Sequence, residues 1–82
     1  MAVVTKKNVK LGLKVFSAYD DRPFDGYGIN EGIVTEIYDD HYIYNETDLG
    51  IDIWGMYDTN LKTDSVAVFT TKPEAEKWLK SR

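Results

Sequence analysis

The chain has 82 residues, of which 43% are hydrophobic and 13% aromatic, and its formal net charge is −4. This length allows one compact domain, so we expect residues 1–82 to fold as a single unit. The absence of cysteine excludes a disulfide scaffold, a thiolate zinc site, an iron–sulfur cluster and a cysteine nucleophile.

The first half of the chain predicts a strand, a long loop and a hairpin. Residues 10–16 alternate loosely and have strand propensity. Clustered Asp, Gly and Pro predict an irregular loop over residues 17–31, and loops of this length are often functional. β-branched and aromatic residues predict hairpin strands at 32–38 and 41–44, on either side of an acidic turn. Because both faces of the first hairpin strand are apolar, we expect a bulge there or cover on both sides.

The second half predicts two more strands and a helix. Residues 51–57 alternate as a strand does, with a kink or bulge at Gly55, and residues 65–69 are predicted to form a short strand. The polar residues 58–64 predict a loop between these two strands.

A change to helical spacing marks the C-terminus. Ala75, Trp78 and Leu79 lie on one face of a helix, which must dock because it is short, with Trp78 as its anchor. Thr71 and Glu74 match a capping box at the start of that helix. The order of elements predicts a mainly β fold: a small antiparallel barrel of four to five strands over about residues 9–69, followed by a short helix over about 72–81.

Two stretches resemble a known family. Leu11-Gly12-Leu13-Lys14-Val15, followed after a loop by Gly32-Ile33-Val34-Thr35-Glu36-Ile37 and the acidic turn, resembles the core of SH3-like barrels. That family includes KOW-type and Tudor-like domains and many small bacterial and phage proteins. The resemblance implies a barrel that binds nucleic acid, ribosomal components, peptides or methylated side chains. Such barrels host many unrelated functions, so it implies no particular activity.

The charge is distributed unevenly along the chain. Residues 1–16 carry a net +4, residues 17–64 a net −10 and residues 65–82 a net +2. A negative middle repels phosphate backbones and attracts basic partners. The plain alternative is that the acidic loops only keep the surface solvated.

The sequence offers no catalytic or metal-binding pattern. His41 is the single histidine, and it stands beside Asp39 and Asp40 at a hairpin tip, where adjacent residues rarely converge on one ion. The stretch around Gly26 has Pro23 and Gly32 where a calcium loop needs ligands. We therefore expect no enzyme, no metal and no cofactor. No apolar run long enough to cross a membrane and no signal-peptide pattern is present, so a cytoplasmic location is the expectation.

The aromatic residues carry the main functional hypothesis. The chain has two Trp, six Tyr and three Phe, more than one small core readily buries, so several should be exposed and available for contact. We predict a protein-interaction module for a basic partner, with a contact surface formed by Tyr27, Asp39, Asp40, Tyr42, Tyr44, Trp54 and Tyr57. A surface and core that are simply rich in tyrosine would explain the same composition.

Two other functions stay open at this point. One is nucleic-acid binding through Lys6, Lys7, Lys10 and Lys14. The other is an acidic mimic of DNA that blocks a nucleic-acid-binding enzyme, which requires the acids to form one continuous ridge.

Overall fold

The computed structural model describes residues 2–24 and 26–82, which form six strands and one helix. In chain order these are β1 (Lys14–Asp21), β2 (Gly26–Ile37), β3 (His41–Glu46), β4 (Ile51–Met56), β5 (Leu61–Thr63), β6 (Val66–Phe69) and α1 (Lys72–Lys80). The predicted class, mainly β with a short C-terminal helix, is confirmed, with six strands instead of four to five.

The strands form one antiparallel sheet in the order β4-β3-β2-β1-β6-β5. The sheet curls into a half-barrel, and β4 and β5 are its two edges. The curl gives the sheet a concave face and a convex face, and each strand alternates its side chains between the two.

The predicted long loop over residues 17–31 is wrong. These residues form most of a hairpin in which Tyr19 pairs with Gly28 and Ser17 with Asn30. β6 pairs with the other side of β1 and stabilises this segment as a strand, although its polar composition favours a loop. Tertiary context therefore overrides local propensity here. The predicted polar loop over 58–64 likewise contains β5, which pairs with β6.

The concave face forms the main core. Its buried residues are Val4, Val15, Val34, Tyr42, Tyr44 and Val68. The expected bulge is present, because the register of β2 against β3 shifts between Val34 and Glu36. This extra residue keeps Val34 opposite Tyr44 while Glu36 turns to the convex side with Ile43.

Glycines make room for the buried tyrosine rings. A Cβ atom on Gly32 would lie 2.8 Å from Cδ2 of Tyr44. A Cβ atom on Gly55, which pairs with Tyr42, would overlap the Tyr42 ring. Each ring therefore packs directly over glycine backbone, which lets a small half-barrel hold two fully buried tyrosines.

α1 covers one half of the convex face. Ala75 is buried, and Trp78 and Leu79 pack with it against a cluster that includes Ala18 and Phe69, as the helical spacing predicts. The capping box does not form: Thr71 is the N-cap residue, but its side chain makes no capping hydrogen bond.

Two further contacts tie the ends of the chain to the sheet. At the N-terminus, Val4 lies in the concave core and its carbonyl oxygen accepts a hydrogen bond of 2.9 Å from the amide of Asp58. At the C-terminus, Arg82 donates to the Asp20 carboxylate at 3.0 Å, and Arg22 donates to the same carboxylate at 2.8 and 2.9 Å.

Candidate functional site

The half of the convex face formed by β3 and β4 carries exposed apolar and aromatic side chains. α1 packs against β1, β2 and β6, on the other half of the sheet. Cross-strand pairing places His41 beside Met56 and Ile43 beside Trp54, on the side opposite the buried tyrosines. Together with Tyr38, which stacks on His41, these residues form what we call the aromatic face: Tyr38, His41, Ile43, Trp54 and Met56.

The aromatic face is organised by ring contacts. The Tyr38 and His41 rings stack with centroids 4.7 Å apart and an interplanar angle of 14°. Trp54 meets the edge of His41 at 6.2 Å. Even so, Tyr38 is 44% exposed, Trp54 54% and Met56 55%, and a shallow groove of about 500 Å³ runs between β3 and β4. Exposed apolar side chains grouped in this way mark interaction sites on small proteins.

Hydrogen bonds hold two of these rings in place. His41 Nδ1 lies 2.6 Å from Oδ1 of Asp40, and this hydrogen bond lowers the pKa of Asp40. The Tyr38 hydroxyl donates to the Glu36 carboxylate, which raises the pKa of Tyr38. The Asp40 carboxylate therefore stays charged at neutral pH beside the aromatic rings.

An acidic rim borders the aromatic face. It consists of Glu36, Asp39, Asp40 and Asp52; Asp52 lies on β4 and accepts a hydrogen bond of 3.1 Å from Asn45. The Lys6 ammonium reaches the rim, 3.4 Å from Oδ1 of Asp39 and 3.3 Å from the Tyr38 carbonyl oxygen. Both members of the Lys6–Asp39 pair are exposed, so the pair contributes little to stability and a basic group of another molecule can compete for it.

The structure brings some of the predicted contact residues together and separates others. Asp39, Asp40 and Trp54 lie at the aromatic face or its rim. Tyr57 is half-buried behind it, with its hydroxyl donating to the Tyr38 carbonyl at 2.8 Å and its ring 5.5 Å from Tyr42. It supports the aromatic face from the core.

Tyr27 lies apart from this group. It stands near the start of β2, with the Arg22 guanidinium 4.4 Å from its ring centroid, in a separate groove that α1 borders. Tyr27 is exposed, but the structure does not place it on the same surface as Trp54.

The structure places the predicted contact residues Tyr42 and Tyr44 in the concave core, away from the aromatic face. Their exposed fractions are 1% and 0%, because both rings point into the concave core over glycine backbone. Burial also raises the pKa of both phenols, that of Tyr44 to about 12. Neither ring can reach a partner on the outside of the sheet.

Sequence reasoning missed Tyr38, His41, Ile43 and Met56 as members of the aromatic face. Side chains alternate along β3, so His41 and Ile43 lie on one face and Tyr42 and Tyr44 on the other. Residue type alone does not show which of the two faces is buried. The signal that separates them is Gly55. It leaves space for a ring on the concave side, and Trp54 and Met56 beside it must then point outwards.

The nucleic-acid-binding and DNA-mimic hypotheses depend on lysines and on acidic residues, and some of these side chains pair with each other. Lys14 lies 3.8 Å from Glu31, as Lys6 lies near Asp39. Asp20 is enclosed by two arginines and Glu46 is buried, so these acids do not contribute to an outer ridge.

Metal clusters and membrane-spanning helices are both absent from residues 2–24 and 26–82. Within that part of the chain, no three His, Asp or Glu side chains converge as a metal site requires. None of its helical segments has the length and hydropathy needed to cross a bilayer. Comparison of the chain with protein-family models, curated proteins and solved structures finds no match.

Proposed function

We propose that this protein is a non-enzymatic interaction module, built on an SH3-like half-barrel, that binds a basic protein segment on its aromatic face. The observation that carries this proposal is the cluster of Tyr38, His41, Trp54 and Met56 on the part of the convex sheet that α1 leaves open. Tyrosine and tryptophan contribute most of the binding energy at many protein interfaces.

The acidic rim supports a basic partner over a neutral one. Glu36, Asp39, Asp40 and Asp52 surround rings that can also bind cations through their faces. Carboxylates at the rim raise the association rate with a positively charged segment, and they do so less as salt increases.

Selection from a random peptide library tests the proposal. We expect peptides rich in Arg and Lys to be enriched on the wild-type protein. Their binding should fall at least about tenfold on the Trp54→Ala variant, since truncating a central interface aromatic costs about 2 kcal/mol or more. An Asp39→Asn/Asp40→Asn variant should weaken binding most at low salt.

Phe24→Ala provides the matched control. Phe24 is 85% exposed and lies in the turn between β1 and β2, so its removal takes away an exposed aromatic without touching the aromatic face. Enriched peptides that bind equally well to the Trp54→Ala variant, or an enrichment without positive charge, would contradict the proposal.

A further inference from the structure

A second concavity lies on the concave side of the sheet, inside the curl of the half-barrel. It has a volume of about 220 Å³, and we call it the concave pocket. Ser17, Tyr44 and Glu46 line it from β1 and β3, and Lys62 lines it from β5. Because β2, β1 and β6 separate β3 from β5 in the sheet, Glu46 and Lys62 approach the pocket from opposite sides. The pocket shares no residue with the aromatic face.

Three polar residues that line the pocket are buried. The exposed fractions of Ser17, Tyr44 and Glu46 are 3%, 0% and 5%. The Tyr44 hydroxyl has no hydrogen-bond partner among the described residues. The Ser17 hydroxyl influences its pKa, but the two do not meet with hydrogen-bond geometry. A buried hydroxyl without a partner is rare in native proteins and indicates a group that something else should satisfy.

The two charges of the pocket are held apart. The Lys62 ammonium lies 5.7 Å from the centre of the Tyr44 ring, and none of the described ion pairs joins it to Glu46. Burial raises the pKa of Glu46 and lowers that of Lys62, although each group favours the charged form of the other. Glu46 is therefore removed from water without direct contact with a counter-charge, whereas Lys62 remains exposed to solvent.

We propose that the concave pocket binds a small zwitterion with the size and charge pattern of an α-amino acid. Its ammonium group pairs with Glu46 at the floor of the pocket, and its carboxylate pairs with Lys62. The Tyr44 hydroxyl, which both donates and accepts, supplies a hydrogen bond between the two ends. The volume of about 220 Å³ is below the range of about 300–1,000 Å³ that drug-sized ligands need, so the ligand has few heavy atoms.

Charge matching separates a zwitterion from simpler ions. A small cation would satisfy Glu46 but meet repulsion from Lys62, and a small anion would satisfy Lys62 but meet repulsion from Glu46. A ligand that carries both charges leaves neither group without a counter-charge.

Two-dimensional NMR titration tests this inference, with glycine as the probe and methylammonium chloride and sodium acetate as matched single-charge probes. We expect glycine to shift the backbone amides around Tyr44, Glu46 and Lys62 in a saturable way. At equal ionic strength, the two single-charge probes should shift them at least tenfold less.

Variants show whether glycine binds in the concave pocket, and they test this binding independently of the proposed function. Glu46→Gln and Lys62→Met should each abolish the glycine-dependent shifts, and the spectrum of each variant shows directly whether it is folded. Tyr44→Phe should weaken them. Trp54→Ala should leave glycine binding unchanged, because Trp54 does not line the concave pocket.

Three results would overturn the inference. One is the absence of saturable shifts with glycine in the wild-type protein. Another is equal shifts with methylammonium or acetate. The third is unchanged glycine binding in folded Glu46→Gln or Lys62→Met protein. None of these results would affect the aromatic face.

Discussion

At the scale of single residues, the core depends on tyrosines that pack over glycines. Tyr42 lies over Gly55 and Tyr44 over Gly32, so the place of each ring is set by a missing side chain on the neighbouring strand. This arrangement explains why these two tyrosines are buried while Tyr38 and Trp54, of similar chemistry, are exposed.

Gly55→Ala tests this packing. The added methyl group would overlap the Tyr42 ring, and relieving such overpacking costs about 1–3 kcal/mol in the free energy of unfolding. Chemical denaturation measures this loss. Met56→Ala is the control, since Met56 is the exposed neighbour of Gly55 and its truncation should change stability by no more than about 0.5 kcal/mol. Equal stability of Gly55→Ala and wild type would show that the Tyr42 ring is not confined there.

Glu46 is a second residue with a measurable signature. Burial raises its pKa above the ordinary 4.5, so the folded state binds the proton more tightly than the unfolded state does. The stability that this gives is present below the unfolded pKa and is lost as the pH rises through the folded pKa. The neutral variant Glu46→Gln should therefore be more stable than wild type at neutral pH, with a difference that shrinks as the pH falls through about 4.5.

Denaturation of both proteins across this pH range measures the difference. A Glu46→Gln variant that is less stable than wild type at neutral pH would mean that attraction to Lys62 outweighs the cost of burying the carboxylate.

At the scale of elements, α1 is held on the sheet by its apolar face and by an ionic contact at its C-terminal end. Asp20 on β1 accepts hydrogen bonds from Arg22 and from Arg82, which follows α1, and Arg82 lies 4.5 Å from the ring centroid of Trp78. These contacts fasten the C-terminal end of the helix to the β1–β2 hairpin.

The pH dependence of stability should report this contact. The hydrogen bond from Arg22 is the main cause that holds the pKa of Asp20 far below its ordinary 3.8. A lowered pKa contributes stability that is present above the unfolded value and is lost as the pH falls. We expect Asp20→Asn to be less stable than wild type at neutral pH, with a difference that narrows below about pH 4.

Hydrogen exchange localises the same effect. In the Asp20→Asn variant, the amides of the last turn of α1 should exchange faster, while those of β3 and β4 should not change. Two results would contradict this role of Asp20. One is a loss of stability in Asp20→Asn that is constant with pH, and the other is hydrogen exchange that increases evenly over the whole sheet.

Elements that local residue spacing specifies were predicted from the sequence, and elements that depend on pairing with a distant strand were not. The hairpin around the acidic turn, the strand at 51–57 and the apolar face of α1 follow from spacing alone, and the structure confirms them. The β1–β2 hairpin was missed because the composition of its residues favours a loop. Pairing within the hairpin, as between Tyr19 and Gly28, and pairing of β1 with β6 stabilise it as a sheet. β6 is distant in sequence from β1, so local propensity does not reveal this pairing.

The candidate site was predictable only in part for a related reason. Trp54, Asp39 and Asp40 were identified from residue type and turn position, and the structure places them together. Tyr42 and Tyr44 were predicted to belong to the same contact surface, but they are buried in the concave core. Alternation shows which residues share a face but not which face is buried. The curl of the whole sheet decides that.

At the scale of the whole molecule, the two faces of the half-barrel differ in what covers them. α1 covers β1, β6 and part of β2 on the convex side, and the concave side holds the main core. The convex surface of β3 and β4 keeps exposed aromatic side chains within an acidic rim. Of the exposed aromatic side chains, Tyr38 and Trp54 lie on this uncovered surface, whereas Phe24 and Tyr27 lie elsewhere.

The central claim is that the aromatic face binds a basic segment. The chain contains two tryptophans, Trp54 on the aromatic face and Trp78 on α1, so their indole N–H signals in an NMR spectrum distinguish the two halves of the convex side. The most direct measurement is a titration of the labelled protein with an Arg- and Lys-rich peptide from the library selection. We expect the Trp54 indole and the amides of β3 and β4 to shift, with an affinity that falls as salt increases, while Trp78 does not move. Shifts that centre on Trp78 and α1, or that leave Trp54 unchanged at saturation, would contradict the claim.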